Sequence, residues 1–148
     1  MLTVERILPL AQKHLLVIGD DAPLMEAARL LGDREHNLVV VCDDTGALTG
    51  IITKTDIVGR IGNCTGSNCM MAAASAMTRE ITVCQPADRL RDIWTVIKAH
   101  SFKNIPVVDK DRKPLGVLNA RDVLEILLED VQHEEHLLRE FVFGIGYR

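Results

Sequence analysis

A shift of 66 positions lays the second half of this chain on its first half. Under that shift Leu24, Ala27, Ala28 and Leu31 become Leu90, Ile93, Trp94 and Ile97, and both sets keep the i, i+3, i+4, i+7 spacing of a helix with one buried face. The apolar run Val39–Cys42 becomes Ile105–Val108. Each run closes on an aspartate (Asp43, Asp109), and each copy then reaches a glycine (Gly50, Gly116) followed by an apolar pair. Thr53-Lys54-Thr55-Asp56 comes next in one copy and Asn119-Ala120-Arg121-Asp122 in the other. Between residues 17–58 and 83–124 the identities are Val17/Val83, Leu24/Leu90, Val41/Val107, Asp43/Asp109, Gly50/Gly116 and Asp56/Asp122. A shared core accounts for the apolar identities, but the aspartates and the glycine need another reason. Halves of about 60 residues are marginal alone, so the repeat predicts two like units that share a core.

Composition narrows the class further. The chain is 47% apolar with three Phe, one Tyr and one Trp, which describes an aliphatic core, and its 26% charged residues suffice for a soluble surface. The net charge of −4 is spread along the whole length, leaving no basic stripe for a nucleic-acid backbone. No apolar run approaches the roughly 18 residues of a membrane helix, and the N-terminus lacks a signal-peptide layout. The expectation is a cytoplasmic protein that binds neither nucleic acid nor membrane.

Local signals give the order of elements. Thr3 is placed to cap a short helix through Leu10 that Pro9 brings to its end, and Leu15–Ile18 reads as a strand stopped by Gly19-Asp20-Asp21. A helix opens at Asp21 or Ala22 before Pro23 and ends at Gly32-Asp33. Leu38–Cys42 and Leu48–Thr53 form a hairpin across Asp43-Asp44-Thr45-Gly46, and a helix runs from Asp56 to Ile61. The second copy repeats the order: strand Ile81–Cys84, helix Pro86–Ala99, hairpin Ile105–Val108 with Leu115–Asn119, then a helix from about Ala120 that could reach Phe143. An apolar stripe on a helix that long must be buried against the domain itself or a second copy of the chain. The expected units are 1–61, a first repeat with its N-terminal helix; 62–76, a linker; 77–130, the second repeat; and 131–148, a C-terminal helical extension.

The doubled segments Gly50–Asp56 and Gly116–Asp122, the strand Ile105-Pro106-Val107-Val108-Asp109, and Ala76-Met77-Thr78 opening the second copy resemble a tandem pair of cystathionine-β-synthase-type (CBS) domains, a Bateman module, over about residues 3–130. The resemblance implies an α/β (α+β) fold of two βαββα repeats packed with pseudo-twofold symmetry. It also implies two clefts that hold adenosine-containing ligands, a regulatory rather than enzymatic role, pairing into homodimers, and a separate regulated protein.

A nucleotide site needs a carboxylate for the ribose hydroxyls, donors near phosphate and an apolar slot for the base. Asp56 and Asp122 are the candidate ribose acceptors, with Thr53, Lys54, Asn119 and Arg121 nearest the phosphates. By the resemblance, the base lies near Val17, Ile18, Leu38, Val39 and Val40 in one copy, and near Ile81, Thr82, Val83, Ile105, Pro106 and Val107 in the other. The ligands expected are AMP, ADP or ATP, with NAD also open, and no catalytic cofactor. Helix capping is the competing account of both aspartates, a solvated side chain that of Arg121, and a surface lysine that of Lys103.

Cys64 and Cys69, with four residues between them in the linker, admit three accounts: ordinary thiols, a redox pair, or part of a metal site. Cys42 and Cys84 sit among apolar neighbours as core cysteines do. His133-Glu134-Glu135-His136 lacks the i, i+4 histidine spacing of a zinc-protease helix and reads as a solvated face. No nucleophile and base pair and no phosphate-binding glycine loop is present, so there is no catalytic residue to name. The alternatives to nucleotide sensing are an interaction module built on the long helix and a thiol sensor at Cys64 and Cys69.

Overall fold

The computed structural model describes residues 2–62 and 71–146. Its first element, α1 (Val4–Lys13), turns Val4, Ile7 and Ala11 to one buried face. Pro9 does not end this helix as the sequence predicts. Its ring sits on the exposed side, and the buried face on the opposite side carries the helix on to Lys13. Thr3 takes the N-cap place with extended backbone but makes no side-chain cap bond.

The first repeat follows as β1 (Val17–Gly19), α2 (Leu24–Leu30), β2 (Leu38–Cys42), β3 (Leu48–Thr53) and α3 (Lys54–Gly62). β1 runs parallel to β2, and β2 is antiparallel to β3, giving the order β1-β2-β3. The second repeat has α4 (Leu90–His100), β4 (Asn104–Val108), β5 (Pro114–Asn119) and α5 (Ala120–Gly146). The strand expected at Ile81–Cys84 shrinks to a single parallel bridge between Cys84 and Val107. The helix expected from Pro86 starts at Leu90. Asp88 is occupied in the preceding turn, where its carboxylate accepts the Gln85 N–H at 2.8 Å.

The equal aspartates Asp43 and Asp109 do equal work in the hairpins. Asp43 Oδ1 accepts the N–H groups of Thr45 and Ala47 at 2.9 and 3.1 Å, and Asp109 Oδ1 accepts those of Asp111 and Lys113 at 2.8 and 2.9 Å. Each carboxylate thus folds its own turn. At the matching turn position both copies adopt positive φ, 88° at Gly46 and 61° at Arg112.

The segments that precede the repeats cross over. The sequence grouped α1 with the first repeat, but α1 packs on the second: Val4, Ile7 and Ala11 share a core with Cys84, Leu90, Ile93, Ile97, Ile105, Val107, Leu118 and Val123. Backbone bonds from Val4 N–H to Asp88 O (2.9 Å) and from Leu90 N–H to Leu2 O (3.1 Å) fasten it there. In return, the segment before the second repeat packs on the first. Ala73 and Ala76 lie in the core of Ile18, Leu24, Ala27, Val39, Val41 and Ile52, and Thr78 pairs with Ile51 through bonds of 3.0 and 2.8 Å.

The glycine identity follows from this crossing. A Cβ on Gly116 would lie 2.8 Å from the backbone carbon and Cβ of Ala11, and one on Gly50 would lie 2.7 Å from Met77 Sδ and 2.8 Å from Thr78 O. Ala11 and Met77 are themselves 66 apart, so each glycine admits the equivalent incoming segment. A third core, of Leu38, Val40, Cys42, Leu48, Val108 and Val117, joins the two repeats, and the Leu48 N–H to Arg112 O bond of 2.8 Å crosses between them. Each repeat is therefore completed by a segment that lies earlier or later in the chain than its own strands.

Candidate functional site

β3 runs into α3 and β5 into α5 with no residue between them, so the polar motifs sit where a strand becomes a helix. Thr53 and Asp56 cap one another there. The Thr53 N–H donates to Asp56 Oδ2 at 3.0 Å, and the Asp56 N–H donates to Thr53 Oγ1 at 3.2 Å, a reciprocal box that satisfies two orphan donors. Capping is therefore a real role of Asp56, and both side chains remain half-buried rather than sealed in the core.

Ile51, two residues before Thr53, lines a cavity of about 150 Å³ with Thr78, with Glu80, Ile81 and Thr82 along the segment that opens the second repeat, and with Phe102, Asn104 and Pro106. Phe102 is stacked on His100, ring centroids 5.0 Å apart. A second hollow, of about 320 Å³, is lined by Thr55, Asp56, Gly59, Arg60 and Ala76. The first hollow thus has an aromatic ring in its lining and the second a carboxylate.

The second motif is wired differently. Asn119 turns its amide oxygen to the Arg121 N–H at 2.8 Å, one residue short of the donor that Thr53 bonds in the first copy. The Asp122 carboxylate instead meets the His14 ring, Nε2 to Oδ2 at 3.0 Å, both side chains mostly buried. His14 comes from the end of α1, so the crossing segment delivers it. Its equivalent 66 residues on is Glu80, which lines the first cavity. Sequence inspection by itself missed His14, Thr78, Glu80, Phe102 and Asn104. The signal that finds them is the 66-residue register combined with the exchange of preceding segments.

The remaining candidates divide by location. Ile81, Thr82 and Pro106 line the 150 Å³ cavity. Leu38, Val40 and Val83 belong to the core between the repeats, whereas Ile18, Val39, Ile105 and Val107 belong to the cores of the single repeats. These last four are at most 5% exposed, so their side chains lie within those cores. Val17 is 45% exposed. Lys54 Nζ donates to Asp33 O at 2.8 Å, and Arg121 is almost fully exposed with only Glu125 near it at 3.5 Å. Lys103 is exposed, and its carbonyl accepts the Ala120 N–H at 2.9 Å.

Burial pushes the Cys84 thiol up to about 12 and raises that of Cys42 as well. Both are free thiols inside the fold, while Cys64 and Cys69 lie outside the described residues. Among the described residues no group of three or more His, Cys, Asp or Glu side chains is arranged to hold a metal ion. Nor, among them, is any helix long and apolar enough to cross a membrane.

The CBS domain model matches this sequence twice, at residues 4–63 and 73–129. The chain belongs to the CBS domain family. Its two repeats form a CBS pair, and the fold is that of solved CBS pairs. CBSX2, solved in complex with AMP, superimposes with a TM-score of 0.73 at 23% identity, covering 87% of this chain and 98% of that one. The CBS pair of MJ0100, solved with 5′-methylthioadenosine and S-adenosyl-L-methionine, gives 0.70 at 23% identity over 86% and 97%. Among curated relatives, the L-aspartate semialdehyde sulfurtransferase of Methanosarcina acetivorans is 25% identical over 113 residues, which is 76% of this chain and 22% of that protein. The chain spans between a fifth and a half of the length of the curated relatives it matches first.

Proposed function

We propose that this CBS pair is a regulatory module that binds an adenosine-containing ligand between its repeats, AMP, ADP or ATP in the first place and NAD as a further choice. The observation that carries the reading is the 150 Å³ cavity with the Phe102 ring in its lining, reached by Ile51 on the strand that runs into the Asp56 motif, while Asp56 itself lines a hollow of about 320 Å³. The smaller volume, 150 Å³, is below the roughly 300–1,000 Å³ of sites enclosing a whole small ligand, so it suits one moiety, the base. Stacking on Phe102 and amide bonds to Asn104 would hold the base, and the free Oδ1 of Asp56 would accept the ribose hydroxyls. The Asp122 cleft is the weaker of the two: a ribose there shares the carboxylate with the His14 ring on Oδ2, a bulkier neighbour than the Thr53 N–H that Asp56 Oδ2 accepts.

Binding regulates by favouring one arrangement of the two repeats, since a ligand shifts an equilibrium only through its difference in affinity for two states. The module acts in the cytoplasm as a homodimer and passes the change to a separate protein. Val58 and Leu124, 66 residues apart on α3 and α5, support the pairing: these large apolar side chains are 68% and 37% exposed at equivalent places. Calorimetric titration of the folded protein with AMP, ATP, NAD and S-adenosylmethionine tests the reading. At least one should saturate; silence across the panel would overturn it.

A further inference from the structure

Away from both clefts, the N-termini of α1 and α4 converge. Thr3 bridges to Arg89, and bonds from Val4 N–H to Asp88 O and Glu5 N–H to Pro86 O (2.9 and 3.0 Å) hold the two helix starts side by side. From this frame Arg6, Arg89 and Arg91 reach a cavity of about 430 Å³ whose other wall is Asp130 and Glu134, one turn apart on α5. A neighbouring hollow of about 360 Å³ continues it along α5 past Ile126 and shares Leu2, Arg6 and Asp130.

The charges are segregated and left open. Among the described residues none of these five side chains makes an ion pair within 4.0 Å or a hydrogen bond to another side chain, although they line one cavity with opposite signs. Leu2 and Leu127 supply an apolar floor. A purely anionic ligand would meet the carboxylates of α5, and a purely cationic one the guanidinium groups. A small molecule carrying both charges close together, with an apolar body, satisfies all three surfaces, and the cavity falls within the roughly 300–1,000 Å³ of small-ligand sites.

We propose that this groove binds a free α-amino acid, its carboxylate on the arginines, its ammonium group on Asp130 and Glu134, and an apolar side chain on Leu2 and Leu127. Guanidinium forks suit a carboxylate because they bind it bidentately. The site is independent of the nucleotide reading and stands or falls without it.

The test is a heteronuclear NMR titration of the full chain with each common L-amino acid, with the 2-oxo acid matching the tightest of them, and with inorganic pyrophosphate. At least one amino acid with an apolar side chain should saturate and shift the signals of Arg6, Arg89, Arg91 and Asp130. Loss of the ammonium group in the 2-oxo acid should weaken binding about tenfold or more, as should Arg89→Gln with Arg91→Gln, and Glu134→Gln alone should weaken it too. Should the double arginine variant not fold, Glu134→Gln decides the matter alone. The proposal is overturned by saturation from no amino acid, by affinity unchanged in these variants, or by pyrophosphate binding as tightly as the amino acid.

Discussion

Asp56 and Asp122 occupy equivalent places in two copies of one motif, yet one carboxylate closes a capping box and the other meets a histidine from a distant helix. A single side-chain change starts the divergence. The threonine hydroxyl at 53 bonds the N–H three residues on, whereas the longer asparagine at 119 bonds the N–H two residues on. Asp122 is then left without a local partner, and His14 takes the place of one. Two halves built alike thus offer two unlike clefts, one whose carboxylate accepts its own motif's backbone N–H and one whose carboxylate meets the ring of His14. Identical backbone positions carry different chemistry because the crossing segments differ: α1 brings His14, and the segment after residue 71 brings Glu80.

The crossing itself is the easiest part of the comparison to break. Gly116→Ala should destabilise the protein by about 1–3 kcal/mol in urea unfolding, because the new methyl meets the backbone of Ala11. Gly50→Ala should cost less, since part of its clash is with the flexible Met77 side chain. Equal, negligible costs would remove the exchange of segments as the reason for the glycines. The aspartates come next. Asp56→Ala should cost about 1 kcal/mol through loss of the cap, and Asp122→Ala about 0–1 kcal/mol, as a partly exposed ion pair does. The same urea series would contradict the capping assignment if that order were reversed.

A smaller effect separates the two hairpin turns. Arg112 holds a left-handed conformation that glycine adopts freely, so Arg112→Gly should raise stability by a few tenths of a kcal/mol, and Gly46→Ala should lower it by about 1 kcal/mol. Thermal unfolding of both variants checks the pair.

The buried thiols give a pH dependence common to both halves. Cys84 has an ordinary value of 9.0 that burial raises to about 12, so the folded state holds its proton longer than the unfolded chain does. Its contribution to stability is complete below pH 9.0 and is lost as pH rises toward 12. In the native protein at pH 8, iodoacetamide should therefore leave Cys42 and Cys84 unmodified, and both should label once the chain is unfolded; native labelling would contradict their burial.

Much of the fold was legible because the repeat is written in side-chain periodicity. The α2 and α4 stripes, both hairpins and the long α5 follow from spacing alone. Helix starts were less legible, because Pro23 and Pro86 signal a start while turns held by backbone and Asp88 bonds delay α4 to Leu90. The crossing segments left no periodic trace at all. Their only mark was a glycine in each copy, and a glycine tells of close approach without naming what approaches. For the site, the carboxylates were found by their place in the motif, but the residues around them, His14 and Phe102 above all, come from elements remote in sequence. The resemblance puts the base near Val39 and Val107, but alternate side chains on one strand face opposite ways, and the side chains of these two face the single-repeat cores.

The central claim is that the two clefts are unlike and that the Asp56 cleft is the better one. Calorimetric titration of the wild type, Asp56→Ala and Asp122→Ala with AMP puts it to the test most directly. The tighter binding event should weaken at least tenfold in Asp56→Ala and persist in Asp122→Ala. Loss of that event in Asp122→Ala with survival in Asp56→Ala would contradict the account.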